Sequence, residues 1–209
     1  MPEREALAEK LLTVGLALLK DQPAEHLSLR RIAEQVGVSH QAPYVHFGDK
    51  RRFLAALAGT GLQQAADDAA AAVATAGDDP RRRLHALVDA YVRFIHLHPH
   101  VHDLAHGPLV AKADHPRLQE AAIAYWDLLH ETVAACQPDG TSEAEVLRRC
   151  AAAWGTVYGI ARLTALRQIP ASVPADQDQL LHEAVDTIYD GWQTKRLSAV
   201  GAVGRRTRQ

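Results

Sequence analysis

Two cysteines, Cys136 and Cys150, stand among 209 residues, and they do not form a C-x-x-C pair. That excludes a disulfide framework and the common zinc and redox motifs. Their apolar helical surroundings make both read as buried small hydrophobes. Long hydrophobic runs are absent as well: nothing approaches the ~18 apolar residues that a membrane-spanning helix needs. The opening MPEREALAEK is charged, without the apolar stretch of a secretory signal, so a cytoplasmic protein with no membrane partner is expected. No segment alternates apolar with polar residues as a half-buried strand does, and no repeat recurs at solenoid periods. Neither sign of charge prevails, with 23 Lys and Arg against 25 Asp and Glu for a net -2. The overall balance therefore carries no signature of nucleic-acid binding.

What is present is helix. Apolar residues make up 47% of the chain, enough to bury a core, and they recur at helical spacing. Leu7, Leu11, Val14 and Leu18 form one such stripe, Val146, Cys150, Ala153 and Val157 a second, and Leu181, Val185, Ile188 and Trp192 a third. Alanine-rich QQAADDAAAAVATA favours helix by propensity. Breaks are expected at Asp21 to Leu27, Gly37 and Val38, Gly48, Gly77 to Asp79, Pro99, Asp114 to Pro116, Pro138 to Thr141, and Ile169 to Ala175. These leave an all-α fold of about nine helices. Ser142 with Glu145 fits a capping box opening a helix to about Arg167, and Lys195 with Arg196 suits the negative end of a last helix running from Asp176 to Leu197. The division expected is an N-terminal three-helix bundle over 1–48, a larger helical domain over 49–197, and a basic, disordered tail over 198–209.

Local charge departs from the global balance. Between Ser28 and Arg52 lie Arg30, Arg31, Lys50, Arg51 and Arg52 against Glu34 and Asp49, with His40 and His46 added. The same stretch spells two short helices joined by a tight turn and followed at once by a third. Ser28 caps a helix whose inner face is Leu29, Ile32, Ala33 and Val36, and Ala33 is small enough for a partner helix to cross closely. Gly37 suits the left-handed position that ends this helix, Val38 returns to the core, and Ser39 caps the next helix, His40 to Phe47, with Pro43 near its first turn. A helix pair of this kind is a helix-turn-helix. Ser39, His40, Gln41, Tyr44 and His46 cannot face the core, and all are hydrogen-bonding types suited to a major groove. His40 and Gln41 lead the helix toward base edges, and Arg30 is within reach of a guanine. Tyr44, His46 and Lys50 suit phosphates, and Ser28 joins this set at the front of its helix. Asp49 caps the following helix, whose free N–H groups add an anion site beside Lys50.

The stretch LSLRRIAEQVGVSHQAPYVHFGDKRRFLAAL resembles the DNA-binding module of the TetR family of transcriptional regulators. The resemblance rests on Ile32 and Ala33, on Gly37 to Ser39, on Tyr44 to Phe47 in a Y-x-H-F pattern, and on Lys50 after Gly48. It implies a recognition helix over His40 to Phe47 with Tyr44, His46 and Lys50 on the DNA backbone. Further along, DAYVRFIHLHPHVHDLAHG and AAAWGTVYGIARL are similar to a subgroup whose C-terminal domain carries W-x-x-x-H-G, here Trp154, Tyr158 and Gly159, with tyrosine in the histidine position. The resemblance also implies a homodimer whose last two long helices pair with their copies, and a small-molecule effector bound among the C-terminal helices.

Tyr91, Phe94, Tyr125, Trp126, Trp154 and Tyr158 fall on several helices and are the aromatic candidates to line that effector site, with His98, His106 and Arg162 as polar anchors. The reading that follows is a non-enzymatic, ligand-released repressor on a near-palindromic double-stranded operator, with no cofactor. A rival reading takes His96, His98, His100, His102, His106 and His115 as a metal cluster, giving a metal-responsive regulator or a helical-bundle metal hydrolase. Against it, His98 and His100 flank Pro99, no Cys or carboxylate pair completes a tetrahedral set, and H-E-x-x-H and nucleophile motifs are missing. A third reading, an interaction module that has lost DNA binding, sits poorly with an intact basic helix-turn-helix.

Overall fold

The computed structural model describes residues 2–203, and side chains for residues 4–193. Over that range the fold is all-α, with nine α-helices: α1 (Pro2–Leu18), α2 (Leu29–Val36), α3 (Ala42–Phe47), α4 (Lys50–Thr75), α5 (Pro80–Leu97), α6 (Pro99–His106), α7 (Pro116–Ala135), α8 (Glu143–Ala165) and α9 (Gln177–Val203). Short 3-10 turns lie at Ala24–His26 and Lys112–Asp114.

Side-chain caps set most of the starts. Ser28 Oγ accepts from Arg31 N–H at 3.4 Å, Asp49 Oδ1 from Arg52 N–H at 2.8 Å, Asp79 Oδ1 from Arg81 N–H at 2.9 Å, and Asp176 Oδ1 from Gln179 N–H at 2.9 Å. Ser142 Oγ accepts from Glu145 N–H, as its sequence suggests, while the Glu145 carboxylate takes a hydrogen bond from Arg149. Prolines 80, 99 and 116 each open a helix, where their missing N–H costs nothing. Gly37 ends α2 at φ 78°, a backbone state that a Cβ would strain.

The Cα packing separates two compact units. The first comprises residues 1–68 and 91–126, so α1 to α3 share a core with most of α4, the end of α5, α6 and the start of α7. Leu11, Leu12, Leu19, Leu27, Ile32, Phe53 and Leu57 are its fully buried centre. Phe47 closes on Phe53 edge to face, with centroids 5.1 Å apart. Burial of each such side chain stabilises by about 1.5–3 kcal/mol. Two glycines of α4 let other helices come close. A Cβ on Gly59 would stand 2.5 Å from the backbone of Arg117 and Leu118, and one on Gly61 would collide with Val101 Cγ1. Compactness thus does not divide the chain at Gly48.

The second unit comprises residues 69–90 and, of the described residues, those from 127 onward. Here α8 packs along α9, burying Val146, Cys150, Ala153, Val157 and Ala161 of one and Leu181, Val185 and Trp192 of the other. Buried Arg149 is matched by Glu145 and Gln137 and lies over the Trp192 ring at 6.0 Å. Toward α5, Arg81 and His85 both reach Asp186, at 2.8 and 2.7 Å.

Two expectations about the ends of elements need correction. The last helix does not stop at Leu197 but runs on to Val203, so Lys195 and Arg196 are not in its final turn and residues 198–203 are helical. Ala199, Val200 and Ala202 continue the helix, and Gly201 alone does not break it. The side chains of Lys195 and Arg196, and the remainder of the expected tail from 204 onward, lie outside the described residues. Before Asp114, α6 ends at His106 rather than continuing, because Gly107 and Pro108 follow.

Candidate functional site

The helix-turn-helix forms at the expected place, with one shift of register in its helix boundary. Helix α3 begins at Ala42 with Gln41 at its N-cap, not at His40 with Ser39 as the cap. The cause is Pro43. With no N–H it cannot donate to the Ser39 carbonyl, and Ala42 N–H takes that acceptor instead at 2.9 Å in a tighter turn. The regular ladder starts with Val45 N–H to Gln41 O at 3.0 Å. Pro43 and Phe47 are buried, whereas Ser39, His40, Gln41 and Tyr44 are exposed, Tyr44 at 46%. Nearly half of Tyr44 thus stands in water on a six-residue helix. His46 is half-buried, and burial, with Arg4 nearby, holds its pKa below the ordinary 6.5.

Around α3 the charged side chains are already organised. Glu34 on α2 accepts from Arg30 Nε at 3.0 Å and lies 3.1 Å from His40 Nε2, so one carboxylate joins α2 to the turn before α3. The Arg30 hydrogen bond above all keeps Glu34 ionised, below its ordinary pKa of 4.5. Lys50 Nζ donates to the Glu25 carbonyl at 3.2 Å, which ties the start of α4 to the turn before α2 and leaves the ammonium with protons to spare. Arg4 of α1 donates to the Val45 carbonyl at 3.3 Å, at the C-terminal, partly negative end of α3. Ser28 serves α2 as its cap and remains exposed.

The candidates for small-molecule binding fall into two groups, one in each compact unit. In the first unit, Tyr91 and Phe94 of α5 meet His102 and His106 of α6. Tyr91 Oη lies 3.0 Å from His102 Nε2, the Phe94 and His102 rings meet edge to face at 5.9 Å, and His102 stacks on His106 at 4.4 Å. Tyr125 of α7 sets its ring against Tyr91 at 6.1 Å, His98 stands 6.1 Å from Phe94, and Trp126 is half-buried. In the second unit, Trp154, Tyr158 and Arg162 follow one another along α8 at helical spacing, with the Trp154 and Tyr158 rings 6.5 Å apart and Trp154 40% exposed.

The remaining observation is comparison. Residues 11–57 match the model of bacterial regulatory proteins of the tetR family, and residues 84–188 match the tetracyclin repressor-like C-terminal domain. The chain belongs to the TetR family. No curated protein sequence matches it significantly. Among solved structures, a protein of unknown function from Rhodococcus sp. RHA1 is similar over 89% of this chain and 95% of its own, at 32% identity and TM-score 0.72. The fatty acid degradation regulator FadR of Bacillus halodurans shares the fold at 15% identity and TM-score 0.64, over 88% of this chain and 98% of its own. A single-residue variant of TetR from Acinetobacter baumannii AYE, solved in complex with minocycline, does so at 18% identity and TM-score 0.59, over 89% and 96%. As a TetR-family transcriptional regulator, the protein carries its DNA-binding module in α1 to α4 and a ligand-binding type of domain after it.

The rival metal reading of the histidines gains no assembled ligand set. Among the described residues, no group of three or more His, Cys, Asp and Glu side chains is placed to hold a metal ion. Four of the six rings have another neighbour: His102 has Tyr91, His106 Nδ1 lies 3.0 Å from the His102 carbonyl, His98 faces Phe94, and His115 faces Phe47. Burial also lowers the pKa of His106 and His115 below 6.5. Three participants escaped the sequence reading. Glu34 is legible in the sequence only as one of two acids among bases, Arg4 lies far from the motif in sequence, and His102 is legible only as a metal candidate although it stands four residues before His106 on one helix face.

Proposed function

We propose that the protein is a homodimeric repressor that grips a near-palindromic operator with α3 and its neighbours, and that a small-molecule effector releases it. The observation that carries the DNA reading is the split of residues 41–47 into a buried apolar rim, Pro43 and Phe47, and an exposed rim, where Gln41 and Tyr44 present polar groups alongside Val45, beside Arg30 and His40. Gln41 and His40 read base edges, Arg30 reaches a guanine, and Tyr44, His46, Lys50, Ser28 and Ser39 hold the phosphate backbone. The protein works by binding, without catalysis or cofactor, in the cytoplasm where its operator lies. No described helix is long and apolar enough to cross a membrane.

The homodimer has support in α8. Leu147, Trp154 and Leu163, with Leu166 at the C-cap, are exposed apolar residues on a helix whose other face is buried, and a Cβ on Gly155 or Gly159 would meet nothing within 4 Å. Such a face suits a second copy, and two copies place two recognition helices about one DNA turn apart. The effector reading draws on the aromatic residues of α5 to α7 and on the minocycline complex of a protein of the same fold. Release requires an effector that prefers the geometry unable to span both half-sites.

The test is a gel shift on the DNA flanking the protein's own coding region, with sedimentation of the complex. Two chains per duplex and release by compounds of neighbouring pathways are expected; one chain per duplex, or binding that no compound disturbs, overturns the dimer or the effector part respectively.

A further inference from the structure

Helices α5, α6 and α7 bring the Tyr91, Phe94, His102, His106 and Tyr125 rings together within the first unit. Four of these carry polar atoms, and three of them have partners. Tyr91 Oη pairs with His102 Nε2, and His106 Nδ1 with the His102 carbonyl. The Tyr125 hydroxyl is the exception: its oxygen is closed off from solvent and meets no hydrogen-bond partner among the described residues. A buried donor left without an acceptor is rare, because it has given up water for nothing in return. The residue as a whole is nevertheless only half-buried, so part of it reaches solvent.

The charge state of the cluster narrows what would satisfy that hydroxyl. Burial drives the Tyr125 phenol well above its ordinary pKa of 10, which keeps its proton in place, and burial likewise keeps His106 neutral at pH 7. Lys112 and Asp103 act on His106 in opposite senses, Lys112 the more strongly, so the two charges partly offset each other. An ionic ligand brought here would be desolvated without a matched counter-charge.

We propose that this cluster is the recognition end of the effector site, and that its effector is an uncharged, largely apolar molecule whose hydrogen-bond acceptor takes the Tyr125 proton. The apolar body packs against Tyr91, Phe94 and the His102 ring, and the acceptor, a carbonyl or ether oxygen, supplies the missing partner of Tyr125. This rests on the reading of the chain as an effector-controlled regulator.

Three probes of matched size separate the chemistries: acetophenone (neutral, with an acceptor), ethylbenzene (neutral, without one) and benzoate (anionic). Ligand-observed NMR on the full chain gives their dissociation constants, and a gel shift on the same preparation reports DNA binding. Acetophenone is expected to bind about tenfold tighter than either other probe, the equivalent of one hydrogen bond. Tyr125→Phe removes only an unpartnered hydroxyl, so the variant should fold, retain DNA binding and bind acetophenone and ethylbenzene equally. Benzoate binding tightest, an acetophenone preference that survives Tyr125→Phe, or no binding by any probe would each overturn the inference. With DNA binding intact, such a result leaves the regulator reading standing, whereas loss of DNA binding in the unaltered chain strikes at that reading itself.

Discussion

Single residues in this chain act through what surrounds them, and Glu34 shows it best. Its carboxylate serves Arg30 and His40 together, ten residues and one turn of the motif apart. Glu34→Gln keeps the shape and removes the charge. Binding to random duplex should therefore tighten a few-fold, as repulsion from phosphate falls, while preference for the operator narrows because Arg30 and His40 lose their anchor. Fluorescence anisotropy with operator and scrambled duplexes checks both directions at once. The thiols make a second prediction. Burial pushes Cys136 up to about 12 and Cys150 up to about 11, and the Cys136 thiol donates to the Thr132 carbonyl at 3.2 Å. Neither should react with a disulfide reagent at pH 8 until denaturant is added. Residues of this kind were legible where the reason is local: Ser28, Gly37, Asp49 and Ser142 each do in the structure what their neighbours in sequence imply. Glu34 and Tyr125 were not, since their roles depend on groups brought in from other elements.

At the scale of elements, periodicity and punctuation placed the helices because each break coincides with a Gly, a Pro or a capping side chain. The start of α3 was misplaced for a reason also written in the sequence, the missing N–H of Pro43, although choosing between two competing turns there needs the backbone geometry. Close approach between helices left a fainter trace. Gly59 and Gly61 look like helix-weakening residues, yet both face neighbours that leave no room for a Cβ. Their substitutions should differ. Gly59→Ala meets backbone atoms of α7, which cannot yield without moving the helix, and should cost about 1–3 kcal/mol despite the gain in helix propensity. Gly61→Ala meets side-chain atoms of Val101 and Leu16 and no backbone, so its loss should be smaller. Urea unfolding of the two variants beside the parent tests the order, and equal stability would contradict it.

For the whole molecule, the all-α class and the family were legible because one short segment carries specific residues at fixed spacing, while the division into compact units was not, because α4, α5 and α7 each contribute to both. Acid sensitivity is a property of the whole as well. His46, His106 and His115 all have native pKa values below the ordinary 6.5, mainly through burial. The unfolded chain therefore binds more protons than the folded one as pH falls through this range, and stability present above about pH 6.5 is lost below it. The melting temperature should decline between pH 7.5 and pH 5.5, and His106→Gln should flatten that decline. A pH-independent melting temperature would remove the basis for neutral buried histidines in the first unit. The central claim, that α3 offers its polar rim to DNA, is tested most directly by the salt dependence of duplex binding. Affinity should fall steeply as salt rises; Tyr44→Ala should weaken all duplexes alike, with a slope shallower by at most one phosphate contact, and Gln41→Ala should leave the slope unchanged while altering base preference at one operator position. Binding that is indifferent to salt, or to both substitutions, would contradict it.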